Sequence, residues 1–341
     1  MPEWMGVDWV PLHRIPTPRR LQTLAVLQWS LLFILGPVIC YLLFLYILLF
    51  TQFTYVPLFY LAWILYDRNT SSTGGRRINW VRKLKIWEYY RDYFPITLIK
   101  TEDLDPNKNY IFGYHPHGIL ACGGFGNFAT EATGFSKMFP GITPHLLTLK
   151  ANFYHPLIRA YILYCGVCDV SKESINWILT KKGTGNAAVI VIGGADEALL
   201  AHQNSYDLTL KNRKGFVKMA LRTGSSLVPV YSFGENDVFY QADNPKGSKL
   251  RQFQEMFKRL FGFSPPLFHG RGVFNYSFGF LPFRTPINTI VGKPIHTEKI
   301  AQPTSEDVDN YHKLYIEALS SLFDDNKTKY GVNEKTKLNF V

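Results

Sequence analysis

Cysteine is scarce, with four residues in a chain of 341: Cys40, Cys122, Cys165 and Cys168. That number excludes a disulfide-stapled scaffold and suits a reducing compartment. Cys165 and Cys168 form a lone CxxC, without the second pair or the histidines of a zinc site. They read as core thiols, and no metal is expected. HExxH and GxSxG are both missing, which removes zinc-protease and nucleophile-elbow chemistry. The most telling absence is of charge. No Asp, Glu, Lys or Arg occurs between Arg20 and Asp67, a run of 46 positions. A spanning helix needs roughly 20 apolar residues, and a charge at its centre costs about 2.5–3.5 kcal/mol. The apolar core of a signal peptide is only about 7–15 residues long. Residues 21–66 are therefore expected in the membrane.

Breaks within the run shape the expected topology. Gly36-Pro37 interrupts the first stretch, and Thr51 to Thr54 separate it from Tyr55–Tyr66, which contains Pro57. At about 1.5 Å per residue the second piece is about 18 Å long, too short to span alone. Arg14, Arg19 and Arg20 precede the run, and Arg68, Arg76, Arg77, Arg82 and Lys83 follow it. By the positive-inside rule both flanks lie in the cytosol. The expectation is a cytosolic tail (1–20) and a kinked helical hairpin (21–66) entering and leaving by one face. A single span with an interfacial second segment is the alternative. Within 67–100, residues Ile78 to Phe94 space Trp80, Leu84, Trp87 and Phe94 helically among Arg82, Lys83, Lys85 and Arg91. That predicts an interfacial amphipathic helix followed by a linker.

Aromatic residues make up 16% of the chain and the formal net charge is +11. The first excludes disorder. The second implies an anionic partner, whether nucleic acid, membrane surface or phosphorylated ligand. A nucleic-acid binder leaves the uncharged run without a purpose, so no nucleic acid is expected. From about Thr101 short β-rich runs (110–113, 146–149, 187–192, 226–231) alternate with helical stretches (172–182, 215–222, 305–325). This alternation predicts an α/β layered domain over 101–341, flanked by helices. Lys249 to Phe261 carries Leu250, Phe253, Phe257, Leu260 and Phe261 on one stripe, with Lys249, Arg251, Lys258 and Arg259 beside it. It reads as a core helix or as one lying in a lipid surface.

Three clusters carry chemistry. Tyr114-His115-Pro116-His117-Gly118 follows an apolar run at a strand end, where α/β proteins place reactive groups. Proline extends the residue before it, and Gly118 admits close backbone approach. Gly193-Gly194-Ala195-Asp196-Glu197 again runs from a strand into glycines, whose N–H groups suit an oxyanion, and then into carboxylates. Lys211-Asn-Arg213-Lys214-Gly215 places three cations before a helix, as phosphate capture requires. Arg271, in Phe268-His-Gly-Arg-Gly272, is a further candidate.

In order along the chain stand His115-Pro-His-Gly118, Thr130-Glu-Ala132, Gly193-Gly-Ala195 with Glu197, Arg213-Lys-Gly-Phe216, Ser232-Phe-Gly-Glu-Asn236 and Phe268-His-Gly-Arg-Gly272. Together they resemble the diacylglycerol acyltransferase type 2 and monoacylglycerol acyltransferase family over nearly the whole chain. The resemblance implies an integral endoplasmic-reticulum enzyme able to associate with lipid droplets. Its partners would be acyl-CoA, as a substrate rather than a cofactor, and a neutral glycerolipid acceptor. It also implies a glycerophosphate-acyltransferase-like mixed sheet, although that more distant group places an Asp five positions beyond its His. Here Leu120 and Cys122 stand five beyond His115 and His117.

On that resemblance His117 is the expected general base, a neutral imidazole being suited to pH near 7. His115 would orient or share it, and Glu197 would hold the imidazolium, with Glu131 and Asp196 as substitutes. Gly118, Gly193 and Gly194 are the oxyanion candidates; Lys211, Arg213, Lys214 and Arg271 would bind CoA. A thiol of pKa near 8.5 leaves readily, so no acyl-enzyme is needed. Diacylglycerol, monoacylglycerol and long-chain alcohol all remain open as acceptors, as do self-association and a non-catalytic lipid-binding scaffold.

Overall fold

The computed structural model describes residues 14–341 and, upstream, the backbone of a short antiparallel pair, Glu3–Trp4 with Val7–Asp8. Much of the expected 1–20 tail and the side chain of Phe261 lie outside the described residues. The centre is a seven-stranded sheet: β1 (Ile96–Lys100), β2 (Tyr110–His115), β3 (Thr143–Thr148), β4 (Cys168–Asp169), β5 (Asn186–Val191), β6 (Ser226–Phe233) and β7 (Ile287–Val291). Their spatial order is β1-β7-β6-β2-β5-β3-β4. Five strands run parallel, while β7 lies antiparallel to β6 and parallel to β1. Every residue of β2 and β6 is buried, as expected of parallel strands covered on both faces. Their largely apolar sequences reflect that cover.

The helices used below are α1 (Thr17–Ile34), α2 (Gly36–Phe50), α3 (Tyr55–Tyr66), α4 (Lys85–Tyr93), α5 (Ile158–Tyr164), α6 (Lys172–Thr180), α7 (Gly194–Ala198), α8 (Gly215–Thr223), α9 (Lys249–Phe261) and α10 (Ser305–Asp324). One face of the sheet packs Phe112 and Tyr114 against Trp29 of α1, Tyr90 and Tyr93 of α4, and Phe125 and Phe128. The other packs Ile111 and Tyr231 beneath α6, α8 and α10, through Ile178, Val217, Tyr315 and Phe323. A capping box starts α10: Thr304 accepts from the Asp307 N–H, and Asp307 accepts from the Thr304 N–H.

Three expectations need amendment. The sheet begins at Ile96, ahead of the anticipated boundary at 101, because β1 pairs with β7 from far along the chain. The helix expected over 78–94 is two pieces, Asn79–Arg82 and α4, parted at Lys83 and Leu84. Its apolar face divides: Trp87, Tyr90, Tyr93 and Phe94 pack inward and Arg82 is wholly buried, while Trp80 and Leu84 stay exposed. Arg82 lies 3.3 Å from Glu131 and donates to the carbonyls of Phe128, Cys165 and Thr130. Third, α1 is half docked, burying Ala25, Val26 and Trp29.

Beyond α1 the apolar segment turns outward. Val38, Leu42, Leu49 and Phe50 of α2, and Leu58, Phe59 and Leu65 of α3, are exposed. Among the described residues no single helix is long and apolar enough to cross a membrane. α1 and α2 pass that test together, bent by 68° across Leu35. On α9 the sides are reversed relative to a core helix: Arg251 and Gln254 are buried while Phe253, Met256 and Leu260 are exposed.

Candidate active site

Three adjacent parallel strands, β5, β2 and β6, end at the same edge of the sheet. Each continues into a glycine-containing turn that carries titratable groups: Gly193-Gly194 with Asp196 and Glu197, His117-Gly118, and Gly234-Glu235. Strand alternation separates the side chains on β2. Gly113 and His115 face α10, and Tyr114 faces the α4 side. The His115–Pro116 peptide is cis.

His115 is fully buried, with Nε2 3.1 Å from the Tyr315 hydroxyl. That hydroxyl also donates to the Gly113 carbonyl at 3.1 Å. A carbonyl only accepts, so the single Tyr315 proton goes there and His115 donates from Nε2. Nδ1 is left buried without a partner. Burial drives the His115 pKa down to about 3, fixing it neutral. His115 therefore anchors the strand end to α10. It does not share a base role, because its ring faces the core.

His117 is half-buried, and its Nδ1 meets the Gly118 carbonyl at 2.9 Å. Nδ1 must carry the proton, which leaves Nε2 a free lone pair. Burial lowers its pKa, so the base form dominates at neutral pH. Gly118 has φ +62°, and a Cβ there would stand 2.9 Å from Glu235 Cγ. Both the backbone angle and the space demand glycine.

Glu197 is 1% exposed. Its oxygens accept from two backbone donors, the His117 N–H at 2.6 Å and the Thr209 N–H at 2.7 Å. The expectation that it holds the imidazolium is corrected: it holds the turn, while the ring is held by Gly118. Burial raises its pKa to about 7 against those two bonds. Gly193 is required because a Cβ would lie 2.2 Å from the Glu197 carboxyl, and Gly194 has φ +57°. The substitutes are engaged elsewhere. Glu131 pairs with Arg77 and Arg82, and Asp196 with Arg213 and Lys258.

Glu235 was given no role by sequence reasoning, though it stands in the quoted Ser232–Asn236 motif. Its Oε2 accepts from the Tyr114 hydroxyl at 2.5 Å and the Gly123 N–H at 2.9 Å. Oε1 is buried without a partner. Burial raises this pKa also to about 7. The signal was a carboxylate directly after the glycine that follows a strand.

The cations separate. Arg213 pairs with Asp196 at 2.5 Å and Lys214 with Asp309 at 2.6 Å; Lys211 is exposed. Lys214 and Lys218 line a cavity of ≈ 420 Å³ with Gly215, Thr304 and Ser305. Arg271 does not join them: it belongs to the opposite face of the sheet, beside Leu281 and Tyr93. All four cysteines are buried and free, and burial lifts Cys165 and Cys168 to about 12. Among the described residues no three His, Cys, Asp or Glu side chains cluster to hold a metal.

The layered α/β domain offers the His117 imidazole at the carboxyl edge of its sheet, and among the described residues no serine or cysteine hydrogen-bonds to that ring. The family model described as Diacylglycerol acyltransferase matches residues 46–341. Among curated proteins, the 2-acylglycerol O-acyltransferase 1 of Bos taurus is 49% identical over 98% of this chain and 100% of its own. The Diacylglycerol O-acyltransferase 2 of Homo sapiens is 48% identical over 96% of this chain and 84% of its own. The Diacylglycerol O-acyltransferase 2-like protein 6 of Homo sapiens is 51% identical over 95% and 98%. The solved 1-acyl-sn-glycerophosphate acyltransferase of Thermotoga maritima aligns over 88% of this chain and 94% of its own at 10% identity, with a TM-score of 0.35. The chain belongs to the diacylglycerol acyltransferase family, and it is an acyltransferase.

Proposed function

We propose that this enzyme transfers a fatty acyl group from acyl-CoA to the hydroxyl of diacylglycerol, forming triacylglycerol. The observation that carries the reading is His117, with its free Nε2 on a turn fixed by Glu197. Nε2 takes the acceptor's proton as its oxygen bonds to the thioester carbonyl carbon. The tetrahedral adduct collapses, the carbon–sulfur bond breaks, and the CoA thiolate recovers the proton from the imidazolium. N–H groups of Gly118, Gly193 or Gly194 receive the oxyanion. Glu197 is a positioning residue, acting through the backbone of His117. No cofactor enters, since acyl-CoA is a substrate. Lys211, Arg213 and Lys214 draw in CoA phosphates beside the Lys214 cavity, exchanging Asp196 and Asp309 for the ligand.

Monoacylglycerol is the second acceptor, favoured by the extent of identity with the bovine 2-acylglycerol enzyme. The 101–341 region, extended to include β1, is read as a glycerophosphate-acyltransferase-like catalytic domain. Residues 21–66 are read as its membrane hairpin, entering and leaving an endoplasmic-reticulum bilayer from the cytosolic side and compatible with a lipid-droplet surface. The exposed apolar faces of α2, α3 and α9 support that placement. α2 and α3 are about 22 and 18 Å long at 1.5 Å per residue, short of the roughly 30 Å hydrocarbon core, so a re-entrant course fits them.

The test is purified protein with one acyl-CoA and a panel of diacylglycerol, 2-monoacylglycerol and long-chain alcohol. Diacylglycerol should give the highest kcat/KM. His117→Ala should remove transfer to every acceptor while leaving Tm within about 2 °C, because its ring bonds only to the next residue. Normal turnover in a folded His117→Ala variant refutes the mechanism.

A further inference from the structure

Four arginines are buried among the described residues: Arg82, Arg159, Arg251 and Arg271. Burying a guanidinium is strongly unfavourable unless a counter-charge accompanies it. Three of the four comply. Arg82 lies 3.3 Å from Glu131, Arg159 2.7 Å from Asp67 and Arg251 2.9 Å from Glu255. Arg271, at 5% exposure, pairs with no carboxylate among the described residues. Its Nε donates to the neighbouring Gly272 carbonyl at 3.2 Å, and its guanidinium lies 4.4 Å from the Tyr276 ring centroid.

The charges around it share its sign. Arg284 stacks 4.1 Å over the Tyr93 ring and donates to Gln22 at 2.6 Å, the Arg19 carbonyl at 3.1 Å and Thr23 at 3.2 Å. Burial lowers the Arg284 pKa, and repulsion from Arg271 and Arg19 lowers it further. Arg284 is thus committed to fastening α1 and contributes only field. Arg271 meets the Tyr93 hydroxyl through its side chain but has no carboxylate to offset its charge among the described residues. Positive charge is concentrated at the junction of two elements, and one buried cation there has no carboxylate beside it among the described residues, an arrangement that favours an anionic ligand.

We propose that Arg271, with Arg284 and Arg19 behind it, forms a phosphoester-binding site where α1, α4 and residues 268–284 meet. A planar guanidinium fork suits two phosphate oxygens at once. Phe274, Phe278 and Phe280 are exposed beside it, so the ligand's phosphate adjoins apolar matter. The proposed reaction, on which this inference rests for its candidate ligands, brings two such amphiphiles to the enzyme: acyl-CoA and bilayer phospholipid. The site lies on the α4 face of the sheet, whereas Lys214 lies on the α10 face, so the two cationic groups are distinct.

The experiment uses the full chain in maltoside micelles, which contain no phosphate. Binding is measured by equilibrium titration and thermal shift with two probes, adenosine 3′,5′-bisphosphate and dihexanoyl phosphatidic acid. The wild type should bind at least one, and Arg271→Gln should weaken it at least tenfold. Response to the nucleotide identifies the coenzyme as the source; response to the short-chain lipid alone identifies a headgroup. Arg271→Lys keeps the charge but loses the fork, and should fall between the two; it decides the matter if Arg271→Gln does not fold. Binding of neither probe, or equal binding by wild type and variants, overturns the site. Neither readout needs turnover, so a wild type that binds yet transfers no acyl group sinks the enzymatic reading without touching this one.

Discussion

Replacing Glu235 by glutamine should make the protein more stable at alkaline pH than at acidic pH, relative to wild type. Glu235 is 1% exposed, and its folded pKa stands at about 7 against 4.5 for the free side chain. The folded state therefore holds the proton more tightly than the unfolded state. Stability is then fully present below pH 4.5, is lost as pH rises towards 7, and is level above that. A shift of about 2.5 units at ~1.36 kcal/mol each gives a loss of about 3 kcal/mol. Glutamine cannot ionise and escapes that loss. Its carbonyl can occupy the Oε2 position, accepting from Tyr114 and Gly123 as before. Its amide fills the place of the unpartnered Oε1, and any cost of that is the same at every pH. Unfolding in maltoside micelles at pH 4.5 and pH 8 should show the variant gaining about 3 kcal/mol on wild type between the two. Glu197 titrates in the same range but is common to both proteins and cancels. A stability difference that is the same at both pH values would falsify the claim that burial raises the Glu235 pKa in the fold.

Glu197→Gln should lower kcat at least tenfold. One of its two N–H partners then faces an amide donor, which displaces the His117 turn at a stability cost of about 1–3 kcal/mol. Near-normal kcat in folded protein removes its positioning role. Alkaline carbonate should leave the full chain in the membrane pellet, held by α2 and α3; recovery in the supernatant means those helices pack on protein instead.

How much was legible in the sequence follows from what is local. β2, β5 and β6 were visible because strands covered on both faces are written as largely apolar runs. The His-Pro-His-Gly turn was visible because its residues are consecutive. Glu235 was not, since its closeness to Tyr114 depends on β6 lying next to β2, a non-local strand order. The helical spacing of Trp87 and Phe94 revealed an apolar face without saying that α1 covers it. Arg213-Lys214 and Arg271 read alike as cations beside glycine. Only the layering shows that the sheet stands between them.

The bond from His115 to Tyr315 spans 200 residues of sequence. At about 5–20 residues per second, synthesis reaches Tyr315 some 10–40 s after His115. The apolar helices α2 and α3 leave the ribosome early, the histidine turn next, and the helix that locks the turn almost last. Assembly is thus ordered by position in the chain: the exposed apolar helices are complete before the reactive edge is. A nascent or prematurely terminated chain already carries those helices while still without the α10 anchor. The last tenth of the polypeptide, far in sequence from every proposed reacting group, decides when the enzyme becomes one.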